Sequence, residues 1–423
     1  MSKLAIDGGQ PILDRAIAYP WPKQRPEWSE RVLRQLKSGQ LSIYDRSGVV
    51  AEFEDAWSMA HDVPFSLVTN SGTAALHSAF YGVGLGPRDE VLCPSYTFFA
   101  TSASLFQLGA LPVLVDSKPD GSFDVEAAAQ LITDRTKAIV ITHMWGLPCD
   151  MDAIVAFTQR HGLALIEDCS HAHGATYGGR PVGTFGDAAA WSMQTQKLVA
   201  AGEGGVMCTS SREVYDRAQL LGHFNKRAMK EMDPEGELYP YSVTGHGLKY
   251  RAHPLAIAFA VGQVAELASW VKGKQGFAGE IAELFTRIEG IIPLTLSTGD
   301  RISAHYALLF EADPDVIPGG RDWLVAACNA EGLDDLDIPK ATSPLHTLHL
   351  FQNPISPVTT YDRPCIRARF PVADRLAART FKISVPCAPA GYEEEDEQYL
   401  TAVRAVVEKV ANHLSGSAMR GQG

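Results

Sequence analysis

Seven short, nearly continuous apolar runs recur through the first half of the chain, most of them separated by a segment of helical character. They cover residues 64–69 (PFSLVT), 90–93, 111–116 (LPVLVD), 137–143 (KAIVITH), 163–168 (LALIED), 188–193 and 205–208. Strand-length runs that are apolar at almost every position, rather than at alternate ones, belong to a sheet covered on both faces, and intervening helices supply that cover. The expected fold class is therefore α/β with a mostly parallel central sheet. Residues 72–84, 97–108, 125–132 and 151–161 supply the helices. The last two runs follow each other closely, so the seventh is expected to pair as a hairpin-like edge.

A chain of 423 residues, 46% hydrophobic and 20% charged, is long enough for two domains. Residues 1–40 read as an N-terminal arm punctuated by Pro11, Pro20, Pro22 and Pro26, with a short helix over 28–36, packing on the small domain. Residues 41–274 make the large domain. Its end carries a polar loop over 225–247 and a strong helix over 254–270. Residues 275–423 make a smaller α+β domain, entered through a helix over 276–290 that bridges the two. It holds a strand in HYALLFEA and helices near 321–331 and 394–413. The net charge of −12 and the lack of a basic run argue against nucleic acid or an anionic membrane as partner. No apolar run reaches the length of a membrane span, and the N-terminus has no signal-peptide core, which suits a cytoplasmic protein. The seven cysteines are scattered and unpaired in sequence, so buried free thiols are expected rather than disulfides or a zinc site.

Ligands of open α/β sheets bind at the carboxyl ends of the strands, and four suggestive segments lie there. Asn70-Ser71-Gly72-Thr73 is a strand-to-helix turn able to cradle an anion, or simply an N-cap. Ser95 to Phe99 places aromatics that stack on a flat ring or fill the core. Asp168 ends an apolar strand, where a carboxylate needs a partner such as a protonated ring nitrogen, or else caps the next loop. The nearby His171 and His173 with Cys169 are metal-ligand types, but further ligands are not evident and no metal site is expected. Lys197, in WSMQTQKLVAAGEGG, follows an apolar strand and precedes a glycine-rich loop, the setting of a desolvated, nucleophilic amine as well as of a plain surface charge. Together these make an anion cradle, a ring stack, an acid and an amine, which is what pyridoxal phosphate requires. No GxGxxG, Walker A, GxSxG or HExxH motif is present.

The segments NSGTAAL, PSYTFFATSAS, VITHMWGLPCDMDAI, IEDCSHAHGA, VGTFGDAAAWSMQTQK and GEGG resemble the DegT/DnrJ/EryC1/StrS aminotransferases, densely over residues 48–212 and more thinly to the C-terminus. The resemblance implies a fold type I pyridoxal-phosphate enzyme acting as a homodimer with shared active sites. It implies Lys197 as the Schiff-base lysine, Asp168 as the partner of the pyridine nitrogen, and His171 close to the cofactor ring. Phe98 matches the stacking aromatic, Gly72 and Thr73 the phosphate turn, Ser192 a phosphate-binding serine, and Gln194 lies near enough to contribute. Lys249 stands where the family's G-x-N-Y-R segment has an asparagine reaching the partner's phosphate. The implied reaction moves an amino group from glutamate or glutamine to a keto-sugar or cyclitol ketone in a biosynthetic pathway. The lysine flank resembles the cyclitol and aminohydroxybenzoate subgroup more than the nucleotide-sugar subgroup. Elimination or aromatisation on the same fold and a non-catalytic regulatory homologue are the alternatives. Tyr44, Trp145, His223 and His346 are expected substrate contacts, from their positions in loops.

Overall fold

The structure is a computed structural model and describes residues 3–388 and 391–420. The seven apolar runs form one sheet: β1 Phe65–Thr69, β2 Glu90–Pro94, β3 Leu111–Val115, β4 Thr136–Thr142, β5 Ala164–Asp168, β6 Ala188–Ser192 and β7 Gly205–Thr209. Their spatial order is β1-β7-β6-β5-β4-β2-β3. Strands β2 to β6 are parallel, and β7 alone runs antiparallel to both its neighbours. The expected edge position of β7 is thus corrected. All five of its residues are buried, so it needs a neighbour on each side, and β1 supplies the outer one.

This register gathers the strand ends. Thr69 pairs with Gly205 and Gly205 with Ser192, while Thr142 pairs with Asp168 two strands away. One edge of the sheet therefore presents the turn after β1, the ends of β4, β5 and β6, and the loop between β6 and β7. Helices cover both faces. Gly72–Gly82 and Arg212–Gly222 pack on one, and Gly48–His61 and Pro254–Val264 on the other, where Trp57 meets Trp191 edge-on. Buried Glu54 accepts both a bidentate pair of bonds from Arg227, at 2.9 and 2.8 Å, and the amide of Val68.

The smaller domain is an antiparallel sheet of Ile291–Pro293, Leu308–Ala312 and Thr380–Ile383, covered by the helices Gly320–Ala330 and Glu393–Arg420. A single helix, Leu267–Phe285, serves both cores. Leu267, Trp270 and Val271 pack into the large domain, and Ala278, Ile281, Ala282 and Phe285 into the small one. The boundary expected at 274/275 falls inside it. The helix expected over 254–270 is broken instead after Val264, with a 63° bend before Leu267. The arm divides in the same manner: Leu4 and Tyr19 join the small core, whereas Trp28 packs on Phe259 and Trp270 of the large domain.

Two further expectations change. Residues 97–108 are not one helix, because Tyr96–Phe98 pairs as a strand with Thr342–Pro344, leaving the two short helices Ala100–Ala103 and Leu105–Leu108. The polar stretch 225–247 contains a helix, Lys226–Glu231. All seven cysteines are buried free thiols. Among the described residues no single helix is long and apolar enough to cross a membrane.

Candidate active site

A cavity of about 570 Å³ lies at the gathered strand ends. Its floor is Asp168, the last residue of β5, 4% exposed. One carboxylate oxygen accepts the Thr101 hydroxyl at 2.7 Å and the other the Ser170 amide at 3.1 Å. Thr101 is itself held by Thr97 and Thr142, at 2.9 and 3.3 Å. Three buried hydroxyls thus fix one carboxylate rotamer and leave it acceptor capacity toward the cavity.

Lys197 enters from the loop between β6 and β7. That loop is clamped rather than loose. Gln263 exchanges two 2.8 Å bonds with the backbone of Ala200, and His173 bridges the Ser192 carbonyl and the Val199 amide at 2.9 and 3.3 Å. The Trp21 indole of the arm donates to the Lys197 carbonyl at 2.8 Å. Burial lowers the lysine pKa to about 8, and the negative Asp168 acts against that fall. The Nζ atom lies 4.4 Å from the centre of the Tyr306 ring.

Tyr306 stacks on His171 at 4.0 Å, with Trp145 beside both. The stack is set by backbone that most residues avoid. Trp145 and His305 both have positive φ, 58° and 44°. The Tyr306 amide then donates to the Trp145 carbonyl and the Ala304 amide to that of Gly146, both at 2.9 Å. His171 is held neutral, its pKa well below the ordinary value through burial first and then the Lys197 charge. Its Nδ1 and the Trp145 indole nitrogen are buried without a protein partner.

At the other end of the cavity the helix Gly72–Gly82 begins. Ser71 caps it through the Ala74 amide, leaving the first N–H groups, at Gly72 and Thr73, available to an anion. A side chain at Gly72 would bring a Cβ within 2.7 Å of the Ser192 Cβ, so the absent side chain is what keeps turn and serine together. Phe98 closes one side, 39% exposed and packed on Phe99. The set accommodates a flat, phosphate-bearing, protonated-ring ligand: an anion cradle, aromatic faces, an acceptor for a ring N–H, and an amine. It is consistent with pyridoxal phosphate.

Of the residues expected in the site, the cavity brings together Gly72, Thr73, Phe98, Trp145, Asp168, His171, Ser192, Gln194 and Lys197. It does not bring in four others. His223 is buried with Nε2 on the Val68 carbonyl. His346 is engaged by the Ser95 hydroxyl and Asp374 and stacks on Phe370. Both have internal partners that compete with a substrate role. Tyr44 lies between Lys226 and Arg251 away from the cavity, and Lys249 is exposed outside it. The sequence reading missed Thr97, Thr101, Thr142, Tyr306 and the small-domain residues Asp337, Lys340 and Lys382 on the wall. Cys169 does not join the two nearby histidines as a metal set. It lies instead with His143 and Glu167. There Glu167 already accepts three backbone amides at 2.7–2.8 Å as well as His143, and His143 accepts the Cys149 amide.

Comparison with known proteins gives the same reading. The sequence signature of the DegT/DnrJ/EryC1/StrS aminotransferase family matches residues 22–404. The chain is 31% identical to the spore coat polysaccharide biosynthesis protein SpsC of Bacillus subtilis, over 92% of this chain and 97% of that protein. It is 38% identical to the L-glutamine:scyllo-inosose aminotransferase of Streptomyces griseus, over 56% of this chain and 57% of that one. The crystal structure of 3-amino-5-hydroxybenzoic acid synthase superposes with a TM-score of 0.76 at 26% identity, covering 94% of this chain and all (100%) of that one. The architecture is that of fold type I, and the family acts on sugar and cyclitol substrates. The chain belongs to the DegT/DnrJ/EryC1/StrS family and is an enzyme of its pyridoxal-phosphate-dependent aminotransferases.

Proposed function

We propose that this enzyme moves an amino group from glutamine or glutamate to a ketone carbon of a cyclitol, with a keto-sugar as the related acceptor class. The observation that carries the reading is the Lys197 amine, buried in one cavity with Asp168 and with its pKa lowered to about 8. An amine so placed is partly neutral near physiological pH, able to form and leave a bond to carbon and then to carry a proton. When bound, pyridoxal phosphate supplies an electron sink for the carbon that loses its proton. Asp168, held by Thr101 and Ser170, would keep the ring nitrogen protonated. Gly72, Thr73 and Ser192 would hold the phosphate, and Phe98 and His171 would flank the ring. Lys197 Nζ would take the proton from the donor Cα in the first half-reaction and give a proton to the acceptor carbon in the second.

The relative from Streptomyces griseus, named for glutamine and scyllo-inosose, supports the choice of donor and acceptor. The active form is proposed to be a homodimer. Lys249, exposed and outside its own cavity, is proposed to serve a neighbour's, and exposed Tyr241, Val243 and Leu248 give that segment an apolar surface to bury. The test is spectroscopic. Glutamine should bleach the absorbance of the lysine-bound cofactor, scyllo-inosose should restore it, and amino nitrogen from labelled glutamine should appear in the product. Turnover of the ketone without label would sink aminotransfer in favour of elimination or aromatisation.

A further inference from the structure

A second cavity, of about 220 Å³, adjoins the first and shares Ser170, His171, Gln196, Tyr306 and Lys382 with it. Its remaining wall includes the arm (Tyr19, Trp21), the bridging helix (Lys274), Asp335 and the exit of the small-domain strand (Ser384, Val385). Of the shared residues only Lys382 carries a fixed positive charge. It sits on the strand Thr380–Ile383 with 29% of its side chain exposed.

The charges around it leave that ammonium underused. Asp337 is its one ion-pair partner among the described residues, at 3.7 Å, too long for a hydrogen bond, and Asp335 feels its charge from further off. Asp337 also faces Lys340 at 3.6 Å. Asp335, in the smaller cavity, is engaged by the Ser384 amide and hydroxyl and by Tyr399. Lys340, also on the wall of the larger cavity, is 83% exposed and so strongly screened by solvent. Lys274 is committed to the carbonyls of His305 and Val385. Lys382 is thus the half-buried cation best placed to meet an anion, and its charge reaches the reacting centre, since it helps hold His171 unprotonated.

We propose that Lys382 is a specificity-determining residue that receives a substrate carboxylate at the wall between the two cavities, the smaller cavity taking the carbon chain that bears it. This rests on the aminotransferase reading. Every amino-acid donor carries a carboxylate next to the carbon that loses its proton, and an acidic acceptor would carry one of its own. The two sources share one chemistry and are separated by the experiment.

The holoenzymes of the wild type, Lys382→Met and Asp337→Asn are titrated calorimetrically with glutarate, which has the donor's carboxylates without its amine, and with glucuronate, a sugar-sized acid. Lys382→Met should weaken at least one probe about 10-fold or more, the size of a lost charge-assisted hydrogen bond. Asp337→Asn, which removes the competing carboxylate, should tighten the same probe. Loss for glutarate alone assigns the donor's carboxylate, loss for glucuronate alone the acceptor's, and loss for both a general carboxylate site. Unchanged affinity for both probes in Lys382→Met overturns the proposal. Spectral bleaching by glutamine is followed in parallel. A wild type that no amino donor bleaches defeats the aminotransferase reading itself. A wild type that is bleached, with a Lys382→Met protein that binds both probes normally, defeats only the role of Lys382.

Discussion

Replacing Lys197 by methionine should make the protein, stripped of cofactor, more stable near neutral pH. The folded chain buries this amine where its pKa falls from the ordinary 10.5 to about 8. At ~1.36 kcal/mol for each tenfold change in proton affinity, holding the lysine charged below pH 8 costs the fold about 3 kcal/mol. The contact of Nζ with the Tyr306 face, 4.4 Å away, returns ~0.5–1 kcal/mol. The net penalty removed by methionine, a chain of similar length, is therefore about 2–3 kcal/mol. The direction with pH follows from proton counting. Below pH 8 folded and unfolded chains both hold the proton, and the penalty is complete. Between pH 8 and 10.5 the unfolded chain keeps a proton that the folded chain has released, so wild-type stability rises relative to the variant. The gap should close by about pH 10.5. Denaturant unfolding of both proteins at one concentration, repeated from pH 7 to 10.5, measures it. A Lys197→Met protein no more stable than wild type at pH 7, or a gap that does not shrink with pH, would refute the assignment of a desolvated amine.

Thr101→Val should remove the 2.7 Å bond to Asp168 and leave the fold intact, costing ~1.5–3 kcal/mol at the carboxylate. We expect kcat to fall by about tenfold or more, with a shift in the cofactor's absorbance maximum. Gly72→Ala forces a Cβ against Ser192 at 2.7 Å. Cofactor affinity measured by equilibrium titration should drop about tenfold or more, through ~1–3 kcal/mol of overpacking. Trp21→Phe keeps an aromatic ring against Trp270 but loses the donor to the Lys197 carbonyl. It should slow cofactor capture, followed by stopped-flow absorbance, with a stability loss of only ~1 kcal/mol. Arg227→Ala removes two of the bonds to buried Glu54 and leaves it Arg46 at 3.1 Å and the Val68 amide, so it should cost ~2–3 kcal/mol in denaturant unfolding.

The sheet was legible because its signal is local. A strand buried on both faces must be apolar at nearly every position, and all seven runs match their strands to within a residue or two at either end. Asp168 and Lys197 were legible for the opposite reason, as charges at the ends of such runs, where only a partner or a function explains them. What escaped depends on contacts between distant segments. Thr97, Thr101 and Thr142 are unremarkable until two strands and a short helix converge beside one carboxylate. Tyr306 read as part of the strand HYALLFEA. The strand in fact starts at Leu308, because His305 turns left-handed and presents the ring to the cavity. His223 and His346 misled because a histidine in a loop resembles a ligand until its internal partners are known, the Val68 carbonyl for one and Ser95 with Asp374 for the other. The helix break after Val264 has no proline or glycine at the junction to announce it.

The helix Leu267–Phe285 has a consequence for how this protein can be divided or can move. At Gly273, in the first half of its length, an added Cβ would lie 2.2 Å from the Cys387 carbonyl, so the chain leading toward the last helix passes directly against the rod. Cutting the gene at the domain boundary would leave each fragment with half a helix whose apolar side has lost its cover, and neither fragment should be soluble by itself. For the same reason the two lobes cannot swing about this axis as jaws do. The strap over 303–306 is tied to the same rod, by Lys274 to the His305 carbonyl at 2.9 Å and by Gln275 to the Ser303 carbonyl at 2.7 Å, so the wall that carries Tyr306 is held in place by the helix that joins the two domains.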